Sequence, residues 1–130
     1  MRYIRGIALL ALVAVVGLSC KDNDPGRLTV RLVAPPGNAA ADSALVITIN
    51  SPAPLTSATA GPGLRLFQQA LGGNTTRFAL VGPLSNQALI LTIGVVDAGA
   101  VSQYNGTVDG VALANFQLRS VAGYALAITR

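Results

Sequence analysis

The side chains able to do chemistry are few, and their types narrow what the chain can perform. In 130 residues there is no His, one Cys (Cys20) and one Lys (Lys21), and all five acids are Asp. Without imidazole, a Ser or Cys nucleophile has no His to take its proton, and a zinc ion has no His ligand. Ser43, Ser51, Ser57, Ser85, Ser102 and Ser120 also lack the Gly-x-Ser-x-Gly turn that presents a hydrolase nucleophile. Lys21 sits in a polar stretch ahead of the first periodic segment, so the domain has no Ser–Lys pair. A carboxylate pair for acid–base work would come from Asp42, Asp97 and Asp109. Each stands beside turn residues, where Asp commonly caps its own backbone. The inventory reads as non-enzymatic.

Hard oxygen ligands suit calcium, and Asp97 and Asp109 with Asn105 are the candidates for such a site. Two carboxylates make a weak one, and no resident metal or other cofactor is expected. Glycan binding would need exposed rings, but Tyr104 and Tyr124 are the only amphipathic rings after the leader, with Phe67, Phe78 and Phe116 assigned to the core. A ligand-binding module for glycan or calcium is therefore the alternative function. Arg27, Arg31, Arg65, Arg77 and Arg119 fall on outward positions of strand-like segments, where charge blunts edge-to-edge aggregation.

The N-terminus carries the strongest pattern. Residues 1–20 read MRYIRGIALLALVAVVGLSC, with Arg2 and Arg5 ahead of an uncharged run from Gly6 to Leu18. A membrane-crossing helix needs about 20 apolar residues. Thirteen is the length of the apolar core of a helical export signal, and the cationic start orients it. Cys20, the chain's only thiol, stands at the end of its only long apolar run. Loss of residues 1–19 lowers the formal net charge from +4 to +2, since Arg2 and Arg5 leave with them. So small a charge on an exported chain gives no reason to expect a nucleic-acid partner.

Gly17-Leu18-Ser19-Cys20 resembles the lipobox of bacterial lipoproteins, in which small residues precede the modified Cys. The family usually has Leu at the third position before Cys; Gly17 stands there, with Leu18 one place later. The resemblance implies cleavage between Ser19 and Cys20, a diacylglycerol thioether on Cys20, and usually a third, amide-linked chain. Two or three acyl chains anchor a protein stably in a bilayer. Ordinary cleavage, leaving Cys20 as a free thiol, is the alternative. Lys21 occupies the position where enterobacterial lipoproteins of the inner membrane carry Asp, which implies the outer membrane. Residues 20–26, ending in Pro25-Gly26, read as a tether.

From Arg27 onward, apolar residues alternate between turn signals. Leu28, Val30 and Leu32 make one face; Leu45, Ile47 and Ile49 make another. Ser57 to Gly63 is small and turn-rich, and Leu64, Leu66 and Phe67 give a short, less regular segment. Phe78 and Leu80 follow in a strand closed by Gly82-Pro83. Leu89, Leu91, Ile93 and Val95 alternate with Ile90, Thr92 and Val96, a pattern apolar on both sides and so expected of a central strand. Asn105-Gly106 and Asp109-Gly110 each fit a hairpin turn or a strand irregularity. Tyr124, Leu126 and Ile128 close the series. Seven or eight such segments at this spacing predict an all-β, antiparallel sandwich over residues 27–130.

Ala122-Gly123-Tyr124-Ala125 is similar to the Ala-Gly-x-Tyr strand of immunoglobulin-like domains, without the spacer. Leu28-Thr29-Val30 and Asn115-Phe116-Gln117 are similar to stretches of cohesin-type sandwiches. These resemblances imply an immunoglobulin-like sandwich, an architecture commonly used for adhesion or docking. The sequence therefore leads to a lipid-anchored envelope lipoprotein with a structural or protein-interaction role, its partners the bilayer and an envelope protein.

Overall fold

The computed structural model describes residues 24–36 and 42–130. The export segment, Cys20 and Lys21 lie outside the described residues.

Nine strands form two antiparallel sheets. They are β1 (Gly26–Val33), β2 (Asp42–Asn50), β3 (Ser57–Ala60), β4 (Arg65–Gly72), β5 (Thr75–Leu84), β6 (Leu89–Val95), β7 (Asn105–Leu113), β8 (Leu118–Arg119) and β9 (Ala125–Thr129). A short 3-10 helix, Ala98–Gln103, links β6 to β7. One sheet has the order β3-β6-β1-β9 and the other β4-β5-β2-β7-β8. The all-β sandwich is as the alternation requires, because each half-apolar sheet covers the other. Leu28, Val30, Leu32, Leu45, Ile47, Ile49, Phe78, Leu80, Leu91 and Ile93 are buried between them. As expected, β6 is flanked on both sides, by β3 and β1.

Three local differences from the sequence reading, and one alternative it leaves open, have physical causes. The small-residue stretch at Ser57–Ala60 is a strand, because its backbone pairs with Gly94 to Leu91 of β6. The segment after Leu64 is longer than its alternation suggested. Gly73 and Asn74, both at positive φ (59° and 61°), form a two-residue turn that carries β4 directly into β5. Gly82-Pro83 does not end β5, which passes it through a register shift and continues to Leu84. Asn105-Gly106 and Asp109-Gly110 both lie within β7, the second beside a register shift against β2. Gly106 faces the core, where a Cβ would lie 2.6 Å from Leu126 Cδ1 and 3.1 Å from Ile49 Cδ1. Close approach of the sheets, not a turn, requires glycine there.

Of the segment expected as a tether, residues 24–26 belong to the sandwich. Gly26 already belongs to β1, and Asp24 is docked: its N–H donates to Asp97 Oδ1 at 3.2 Å and its carbonyl accepts from Ala98 N–H at 2.7 Å. Its carboxylate also pairs with Arg130.

Candidate functional site

Three places on the sandwich combine unusual chemistry with exposure or burial. The first is the carboxylate of Asp42. Where the sequence suggested a turn residue capping itself, the side chain is fully buried near the start of β2, with no exposed surface. It accepts from Arg119 Nε at 2.9 Å and from Tyr124 Oη at 2.6 Å. Arg119 belongs to β8 of the five-stranded sheet, and Tyr124 leads into β9 of the other, so one carboxylate ties both sheets together. Alternation points Arg119 outward. It instead pairs with Val111, which faces the core, and so its guanidinium turns inward. Tyr124 is pushed up to about 12 by burial, then by the hydrogen bond to Asp42 and that residue's charge, with Arg119 opposing. No buried side-chain polar atom here lacks a partner, as a buried ion pair requires if it is not to weaken the fold. The cluster is a lock.

The second place is the outer surface of the five-stranded sheet. Register aligns Arg65, Val81, Ala44, Ala112 and Leu118 in one row across five strands. The next row is Phe67, Ala79, Val46 and Gly110. Phe67 is 57% exposed, Val81 42% and Leu118 85%. Beyond Leu118, at the β7–β8 turn, Phe116 is 91% exposed and held at φ 65°, a left-handed conformation that costs a non-glycine residue about 1–2 kcal/mol. The assignment of all three Phe residues to the core is thus corrected: only Phe78 is there. The third row of this face, Gln69, Arg77, Thr48 and Thr107, is polar. The outer surface of the other sheet is more polar through its middle. Thr59, Thr92, Thr29 and Thr129 form one row across all four strands, flanked by exposed Arg27 and Arg31. Thr29 and Thr129 hydroxyls are 2.9 Å apart.

The third place is an open groove of about 420 Å³ beside the free edges of β3 and β4. Ser51, Thr56, Ser57, Gln68, Asn74 and Thr76 supply neutral polar groups to its wall. It holds no charged side chain and no exposed ring.

The calcium candidates have partners of their own. Asp97 caps the 3-10 helix, accepting from Gly99 N–H at 3.0 Å as well as from Asp24. Its charge, after burial, helps push Tyr104 up from its usual value. Asp109 lies on β7, where its carboxylate accepts from the Thr48 and Thr107 hydroxyls and sits 4.0 Å from Arg77. Asn105 opens β7 opposite Asn50. Among the described residues, no three Asp, Glu, His or Cys side chains gather as a metal site. Ser19 and Cys20 lie outside the described residues. Tyr104 and Tyr124 are both buried, so neither offers a stacking face.

The sequence carries a signal for the apolar outer rows. Ala44 and Val46 on β2, with Ala79 and Val81 on β5, leave both faces of those strands apolar. Which face meets the core and which meets water depends on the partner sheet. Compared with protein-family models, curated proteins and solved structures, the chain finds no match.

Proposed function

We propose that the chain is a non-enzymatic envelope lipoprotein whose sandwich docks a protein partner through the outer face of its five-stranded sheet. The observation that carries this is the contrast between the two outer faces. A solvated sheet face alternates polar-out, as the Thr and Arg rows do. A contiguous apolar face rimmed by polar groups is the usual mark of an interaction surface. In this reading, acyl chains on Cys20 hold the domain at the outer membrane, and the partner is another envelope protein. The immunoglobulin-like resemblance supports a docking role without specifying it.

The test uses the natural chain in its own membranes. The intact mass of the purified product should equal residues 20–130 plus acyl chains; an unmodified mass and free release into buffer overturn the anchor. Photo-crosslinkers at Val81 or Leu118 should give one discrete adduct, while one at Thr59, on the opposite face, should give none. Equal labelling from both faces overturns the docking surface.

The groove supports a second reading, a module for a neutral hydroxyl-rich ligand such as a glycan. Its polar wall favours that chemistry, and its lack of an exposed ring places it behind the docking surface. Calcium-dependent melting would support the metal variant of this alternative.

A further inference from the structure

We propose that β4 is the seam of a symmetric dimer, in which two copies of this chain pair their β4 strands antiparallel about Gln68. The inference stands on the sheet edge, independently of what covers the outer face.

The fold has four edge strands. Three are short: β3 has four residues, β9 five and β8 two. The fourth, β4, has eight, and among the described residues it pairs only with β5. A long free edge offers unpaired N–H and C=O groups to any strand that comes beside it, so edges usually carry Pro, Lys, inward charge or a bulge. Arg65-Leu-Phe-Gln-Gln-Ala-Leu-Gly72 has no Pro and no Lys, and its one charge is at the first residue. A register shift occurs only at the far end, between Ala70 and Gly72, which leaves Arg65–Ala70 regular. Every residue of β4 except Leu66 is exposed.

Symmetry and side-chain alternation select the register. Two antiparallel neighbours related by a twofold axis have that axis perpendicular to the sheet, so equal faces meet and the central residue opposes itself. Centring on Gln68 keeps the central pairs, from Leu66 to Ala70, within the regular stretch. Gln68 meets Gln68 of the second copy, Leu66 meets Ala70, and Phe67 meets Gln69. Arg65 opposes Leu71, so no like charges meet. Gln68 and Ala70 line the groove beneath this edge, where the four-residue β3 leaves them uncovered. The second copy's Leu66, Gln68 and Ala70 would lie over that gap. The two five-stranded sheets would then run on as one of ten, with Phe67 and Val81 of both copies on a shared outer face.

The register yields a charge-pattern test on the full chain in mild detergent, read by sedimentation velocity. The parent chain should be dimeric at micromolar concentration. Phe67→Lys with Gln69→Lys sets like charges opposite each other twice and should weaken the dimer at least about tenfold. Phe67→Lys with Gln69→Glu sets opposite charges at the same places and should keep the dimer, which also shows that altering these positions does not unfold the strand. A monomeric parent overturns the proposal. A dimer that survives the double Lys change places the seam elsewhere and overturns it too, as does equal weakening by both double substitutions. None of these outcomes bears on crosslinking from Leu118, so the docking face stands or falls separately.

Discussion

Replacing Arg119 by Met tests the lock between the sheets. The Asp42 carboxylate is fully buried and has two donors, Arg119 Nε at 2.9 Å and Tyr124 Oη at 2.6 Å. Without the guanidinium, a buried negative charge keeps one neutral donor. Breaking a buried pair from one side costs about 3–5 kcal/mol. Arg119 is 23% exposed, and water already screens part of its attraction, so the expected loss is near the lower end, about 3 kcal/mol. With a urea slope of about 1.5 kcal/mol/M, the unfolding midpoint followed by circular dichroism should fall by about 2 M. The cost comes from the stranded charge, so removing the whole cluster should relieve it. Asp42→Leu with Arg119→Met and Tyr124→Phe should return to within about 1–2 kcal/mol of the parent. The reasoning is refuted if Arg119→Met costs less than about 1 kcal/mol, or if the triple variant is weaker than the single.

Other consequences follow from named residues. Tyr124 rises from 10.0 to about 12 on folding, so its contribution is full below pH 10 and lost as pH climbs through 12. Most of that alkaline destabilisation should therefore disappear in Tyr124→Phe when unfolding is measured across that range. A smaller slope should remain from Tyr104, which burial and then the Asp97 charge also raise. Gly61→Ala should cost more than about 2 kcal/mol, because the new Cβ would lie 1.8 Å from the Leu89 carbonyl oxygen. Gly63→Ala meets nothing, and its loss should be about 1 kcal/mol, from positive φ alone; comparing their thermal midpoints separates clash from backbone strain. Phe116→Gly should be neutral or stabilising by up to about 1 kcal/mol in urea unfolding, since a ring 91% exposed gives up left-handed strain and almost no burial.

The strands legible in the sequence were those whose apolar residues alternate strictly. Leu28-Val30-Leu32 and Leu45-Ile47-Ile49 point one face at the core whatever sheet they join, because period two is a property of the strand itself. Ser57–Ala60 could not be read that way, since it is a strand only through its pairing with β6. Asp109-Gly110 could not be assigned either, because a turn and a bulge use the same residues until a partner strand fixes the ladder.

What the sequence determined alone was chemical. It carries no imidazole, it places one thiol behind an export-like apolar run, and it alternates often enough to require two sheets. Tertiary structure decided the rest. It turned Arg119 inward onto a carboxylate that local reading left at a turn, and it aligned Ala44, Val81, Ala112 and Leu118 from four separate strands into one row of the outer face. Alternation says that a strand has two faces; only the second sheet, by covering one of them, determines which is left outward.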